Sequence, residues 1–468
     1  MSLDKPLIRR FAALFGVLLL SGCAAGTPRQ IAAPAAPPPP DIESLIEAGC
    51  YRCLEAGLEQ AAGRRDVEFQ LAILLGLRAK ELGLPYQPWL DRASAAMPAG
   101  PEWPLYLEIA GVVRVDPLSG DREEILTLTT SQRRPAETVQ GWRAALAGGT
   151  ASAMFRTYLD LTLACSLGQR QDAIAAAQLV FPDAPLIQYR IGTCGSPSHL
   201  EQLRAARADY VDADLPLGRN ALEQPVADQE EALRRFRSAR AAFPESALIA
   251  ASIGDVHRER EEWAEALEAY DATLTLVPTH RDALLGRTIA LSNLARHDEA
   301  IATATRLLDL GNWLIGGAYF WRGWNQYNLG NMTAARADVD EARTRAKAAA
   351  TFVLSGMIAW RQQDLDFAEN EFETALSIDK GQCEAAALQG GVRAARRQWL
   401  DALASLQHAQ QCFDLTIALR RKFIEEIMAG PGSPEGKAGQ AARHQRVIEE
   451  AEKNRDDARR SAAAIEKR

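Results

Sequence analysis

The residue types best equipped for chemistry in this 468-residue chain are its seven cysteines. Cys50-Tyr51-Arg52-Cys53 is a CxxC set at an expected helix start, where a helix N-terminus lowers a thiol pKa. A dithiol redox site of the thioredoxin kind needs a β-α-β setting. The text around this set is helical, so the expectation is a local disulfide or an inert pair. Leu54 rather than His follows Cys53, which excludes c-type haem attachment. The six histidines are scattered, and none stands in HExxH or another metal-ligand spacing. There is no GxSxG nucleophile elbow. Gly432–Lys437 has the wrong spacing for a phosphate loop, and Ala438 stands where Ser or Thr is required. The expectation is a chain with no catalytic constellation, no metal and no cofactor.

Composition narrows the class further. The chain is 47% hydrophobic and 24% charged, which supports a buried core. Its formal net charge is −8, so it lacks the basic excess of a nucleic-acid binder. Ala-rich text with few β-branched runs favours helices over strands.

Residues 1–23 have the layout of a secretory signal. Lys5, Arg9 and Arg10 precede the apolar run Phe11–Leu20, which is too short for a permanent bilayer span of about 20 residues. The run ends Leu20-Ser21-Gly22-Cys23, which resembles the bacterial lipobox. That resemblance implies lipidation of Cys23 and attachment to a membrane through acyl chains. Ala24 rather than Asp follows, and by resemblance to enterobacterial sorting this implies the outer membrane, with the body facing the periplasm. Residues 24–40 carry Pro28, Pro34 and Pro37 to Pro40 among alanines, the composition of a semi-rigid tether.

The elements that organise the chain lie between Ala247 and Cys412. A small residue in one helix is followed twelve residues later by an Ala, and four later by an apolar residue. The sets are Gly254/Ala266/Tyr270, Thr288/Ala300/Ala304, Gly323/Ala335/Val339, Gly356/Ala368/Phe372 and Gly390/Ala402/Leu406. Their first members are 34, 35, 33 and 34 residues apart. This period of helix–turn–helix units resembles the tetratricopeptide repeat, or TPR. The resemblance implies an all-α fold, a right-handed α-solenoid of TPR hairpins, preceded here by divergent helical repeats. It also implies a concave surface, lined by the first helix of each hairpin, that binds protein segments.

Carried onto this sequence, the concave stripe places Arg258 in the first repeat and Asn293 in the second. Phe320, Trp324, Tyr327 and Asn328 fall on it in the third, and Met357, Trp360 and Arg361 in the fourth. Aromatic and Arg side chains are frequent binding hot spots, and Met adapts to varied apolar partners. These nine are the candidate partner-binding residues. An aromatic stripe at helical spacing also reads as packing between repeats, or against the C-terminal segment, and both readings stand. The stripe lacks the dense Lys/Arg cluster of the known TPR carboxylate clamps.

The repeat places Cys383 at the start of one helix and Cys412 at the end of its hairpin partner, which makes them a candidate disulfide. Cys165 and Cys194 form a second candidate pair, and Cys50 with Cys53 a third. Signal, tether, a divergent helical region over 41–214, a solenoid over 215–416 and a C-terminal cap with charged tail over 417–468 complete the expected division. Within it, a cap helix near Leu415–Met428, a linker at 429–439 and a charged tail are expected. Ile448, Ala451, Ala458, Ala462 and Ile465 give that tail helical spacing, for a solvated helix or for docking on a partner or in the groove. Residues 115–134 and 212–228 show no clear element.

The expected function is a membrane-anchored, non-enzymatic scaffold that binds a protein in the bacterial envelope, with no nucleic acid or small-molecule substrate. Two alternatives remain. One is a peptidoglycan-active solenoid, for which only the dipeptides Glu43-Ser44 and Glu245-Ser246 speak. The other is a structural subunit whose aromatic stripe its own oligomer buries.

Overall fold

The computed structural model describes residues 41–112, 136–166, 170–224, 227–311, 315–345, 347–430 and 432–467. Cys23, the signal, the tether and the stretch 115–134 lie outside the described residues. The described residues form helices and no strand, and residues 41–468 make up one compact unit.

The five hairpins pair Ala247–Glu259 with Trp263–Leu276, Arg281–Asn293 with His297–Asp309, and Ile315–Asn328 with Met332–Arg345. Ala349–Arg361 then pairs with Leu365–Ile378, and Cys383–Ala395 with the long helix starting at Trp399. The small residues admit the large ones, as their spacing implies. A Cβ on Gly254 would lie 2.7 Å from Tyr270 Cε1, and one on Gly356 would lie 2.6 Å from Phe372 Cε1. The Tyr270 ring also presses on Gly286 of the next hairpin, so it is wedged between successive repeats.

Each hairpin turns on the same device. One residue adopts left-handed φ: Glu261, Ala295, Gly330, Gln363 and Arg397 in turn. The residue after it donates its N–H back to the carbonyl five residues earlier, as in Glu262 N to His257 O at 2.9 Å and Arg296 N to Leu291 O at 2.9 Å. This closure satisfies carbonyls that the helix end would leave unpaired.

The stretch 212–228, opaque in sequence, contains a further helix, Asp214–Glu223. It pairs with Gln229–Ala242, and a Cβ on its Gly218 would lie 2.5 Å from Phe236 Cε1. The small-against-aromatic contact of the five repeats therefore begins one hairpin earlier. Pro216 sits in the first turn of that helix, where a missing N–H costs nothing. The preceding region adds helices the sequence did not single out: Gln87–Ala96, Pro185–Thr193 and Pro197–Ala206.

The C-terminal expectations need correction. There is no separate cap helix at 415–428, because one helix runs unbroken from Trp399 to Ala429 and crosses the expected boundary at 416. Residues 429–439 are not all linker, since the last helix spans Pro434–Glu466. That helix is not a lone solvated one. Ile448, Ala451, Ala458 and Ala462 are buried in one cluster with Leu406, Phe413 and Ile417 of the long helix. Arg421 pairs with Glu452 at 2.9 Å and Arg455 with Asp414 at 3.1 Å along the same seam.

Candidate functional site

The last helix folds back beside the first helices of the repeats and turns part of the groove into a walled cleft of about 840 Å³. Trp324, Met357 and Trp360 line one side, with Val353, Leu388 and Trp399. The last helix supplies the opposite wall through Asn454, Asp457, Ala458, Ser461, Ala464 and Ile465. Gly390 and Gly391 also line it, and a Cβ on Gly391 would lie 2.5 Å from Trp360 Cη2. The indole thus rests on bare backbone, while small side chains of the last helix leave space in front of it. The lining is chiefly apolar, with Glu384 and Asp457 at its exposed edge.

Of the nine candidate partner-binding residues, the fold brings three into this cleft: Trp324, Met357 and Trp360. Tyr327 is 8% exposed and belongs with Val339, Leu354 and Ile358 to the cluster between the third and fourth repeats. Phe320 packs against that cluster too. Trp324 and Tyr327 stack with ring centroids 6.3 Å apart, and the Arg361 guanidinium lies 4.4 Å from the Tyr327 centroid. Trp324 and Met357 pack against the same cluster, so packing between repeats accounts for Phe320 and Tyr327 and for part of the surface of the cleft residues as well. Asn328 donates to the Trp324 carbonyl at 2.8 Å on its own helix, and Asn293 likewise to the Ile289 carbonyl at 2.9 Å.

Arg258 sits in the first repeat, away from the cleft. Its Nε donates to the Tyr270 hydroxyl at 3.1 Å, and that hydroxyl donates to Asp255 Oδ1 at 2.8 Å. Burial, with the Asp255 carboxylate beside it, holds the Tyr270 phenol above its usual range. Arg258 is thus engaged in holding the wedged tyrosine.

Sequence reasoning missed Trp399, Leu388 and Glu384, and for the far wall it held docking of the tail in the groove, with Ala458 and Ile465 among its spaced residues, as one of three readings. Trp399 opens the second helix of its hairpin, a position that reads as outside the concave stripe. The far wall is Ala-rich and charged, and its helical spacing does not by itself choose between solvent, a partner and the groove.

The cysteines pair as Cys50–Cys53, Cys165–Cys194 and Cys383–Cys412, with Cα atoms 4.9, 5.6 and 5.4 Å apart. The third pair pins the helix that carries Glu384 and Leu388 to the long helix behind the cleft. Among the described residues no cluster of three or more His, Cys, Asp or Glu is arranged to hold a metal. Among them, too, no helix is long and apolar enough to cross a membrane.

No protein-family model matches the chain. No curated protein matches it either. Solved structures with similar folds include MamA from Desulfovibrio magneticus RS-1, at 18% identity, covering 36% of this chain and 94% of that one, with a TM-score of 0.31. A tetratricopeptide repeat protein from Parabacteroides merdae is 18% identical over 50% of this chain and 98% of that one, with a TM-score of 0.37. PilW, a type IV pilus biogenesis factor, is 15% identical over 45% of this chain and 93% of that one, with a TM-score of 0.38. Scores this low say nothing about partners. The chain's own period, glycine contacts and turns define its fold. It is an all-α solenoid of TPR-type hairpins.

Proposed function

We propose that this protein is a non-enzymatic scaffold of the bacterial envelope that holds a segment of a partner protein in the cleft at Trp324, Met357 and Trp360. The observation that carries the reading is the cleft itself, where the half-buried Trp324, Met357 and Trp360 turn indole and thioether surface toward an open cavity. Such surface binds with little entropy to lose. The anchor is Cys23, lipidated at the outer membrane, and residues 24–40 space the body from the lipid headgroups. Neither nucleic acid nor a small-molecule substrate is part of this reading.

The test is capture from an envelope extract by the natural chain and by a Trp324→Ala/Trp360→Ala version with unchanged helical circular dichroism. Loss of a captured partner in the double variant supports the cleft. Equal capture by both versions places the binding surface elsewhere. For the anchor, Cys23→Ser should move the protein from the membrane to the soluble fraction, and retention in the membrane would overturn lipid anchoring at this residue.

A further inference from the structure

The cleft's charges say which kind of segment it takes. Among the described residues that line it there are two carboxylates, Glu384 and Asp457, and no Lys, Arg or His. Both carboxylates are exposed at the edge, on opposite walls: Glu384 in the first turn of Cys383–Ala395, and Asp457 on the last helix. The nearby cation Arg361 is directed over the Tyr327 ring. Asp457 also contacts Arg460 one turn on, an exposed pair of two flexible side chains that is weak in water.

The interior has the opposite character. Trp324, Trp360, Trp399, Met357 and Leu388 offer apolar and π surface. Indole faces attract cations as well as apolar groups. The volume of about 840 Å³ lies within the roughly 300–1,000 Å³ typical of ligand pockets. That space suits a few large side chains of an extended segment, whereas a whole helix would need an open groove. The last helix closes that option, because its buried face is part of the core around Phe413 and Ile417.

We propose, building on the scaffold reading above, that the occupant is a short protein segment pairing a large apolar residue with an adjacent Lys or Arg. The apolar side chain seats against Trp360 in the cleft, and the cation meets Glu384 and Asp457 at the edge. An acidic segment is rejected by the same carboxylates, so selectivity is opposite in sign to that of a basic carboxylate clamp.

Titration calorimetry on the full-length chain tests this with three capped hexapeptides. They share a Leu-Phe-Leu-Gly core and end in Lys-Lys, Ser-Ser or Glu-Glu. The Lys peptide should bind roughly three- to tenfold more tightly than the Ser peptide, as two partly exposed ion pairs allow, and the Glu peptide most weakly. High salt should erase the difference. Glu384→Gln with Asp457→Asn should erase it too, by bringing the affinities for the Lys and Ser peptides together, and Trp360→Ala should weaken all three. Equal binding of the three peptides to the natural chain, or a preference for Glu, overturns the charge selectivity and leaves the cleft as a binding site. Failure of all three to bind, with the fold intact, overturns the proposal together with the cleft reading beneath it.

Discussion

The carboxylate of Asp228 joins the start of the repeat stack to its last helix: its Oδ2 accepts the backbone N–H of Ser433 at 3.3 Å, across 205 residues of sequence. Its Oδ1 meanwhile accepts from Glu231 N at 3.0 Å and caps the helix Gln229–Ala242. Gly436 packs against the same carboxylate, where a Cβ would come within 2.8 Å of it. Arg443 donates to the Glu259 carbonyl at 2.5 Å, and Arg446 pairs with Glu261 at 2.9 Å. The last helix is thus fixed at one end to the first repeat while its other end walls the cleft.

Asp228→Ala should therefore loosen two helix starts at once. A lost cap costs about 1–2 kcal/mol. Hydrogen exchange should show faster amides at 433–447 as well as at 229–232. Protection unchanged at 433–447 would mean that the Asp228 contact does not hold the last helix in place.

A second prediction concerns a buried ionic cluster in the first half. Arg78 is 0% exposed and pairs with Glu81 at 2.5 Å and with Asp212. Arg190 reaches Glu81 at 3.1 Å, and Tyr51 N donates to Asp212 at 2.7 Å. The group has two guanidinium and two carboxylate members, so its charge balances. Asp212→Asn leaves the Arg78 charge under-compensated out of water, and breaking such a pair costs roughly 3–5 kcal/mol. Denaturant unfolding should show the loss, and a change within about 0.5 kcal/mol, typical of surface substitutions, would refute it.

The repeat turns predict an asymmetry between two substitutions. Ala295 has φ 56° and Gly330 has φ 82° at the equivalent turn position. Left-handed φ costs an L-residue about 1–2 kcal/mol. Ala295→Gly should raise the melting temperature and Gly330→Ala should lower it. Shifts of the same sign in both would show that the turn is not governed by φ.

A pH effect is expected at the docked helix. The His444 ring stacks on Phe423 at 5.8 Å, and its Nδ1 lies 3.1 Å from Arg420 Nη1, which donates to it when the ring is neutral. Burial, then Arg420 and Arg443, hold this imidazole below its usual pKa. Glu261 lines the same hollow but is paired with Arg446. The folded chain thus binds this proton less readily than the unfolded chain does. Stability should fall as pH drops through the ordinary imidazole range near 6.5 and below. Melting curves between neutral and mildly acidic pH should show the loss, and His444→Gln should flatten it. An unchanged slope in His444→Gln would assign the effect to another group.

The sequence by itself determined the hairpins. Gly254 and Tyr270, or Gly356 and Phe372, lie only sixteen residues apart, so their contact is a local requirement written into a regular spacing. Regularity also made the concave stripe legible and brought Trp324, Met357 and Trp360 onto one surface. It did not reveal that Arg258 is committed to Tyr270, because a stripe position does not disclose its neighbours. The walled cleft was decided by tertiary structure alone. The last helix buries mostly alanine, a side chain with little apolar area, so its text resembles a solvated helix. Its seam at Phe413 and Ile417 lies on the helix just before it, but what fixes its other end are partners far away in sequence, Asp228, Glu259 and Glu261, and no local period encodes contacts at that distance.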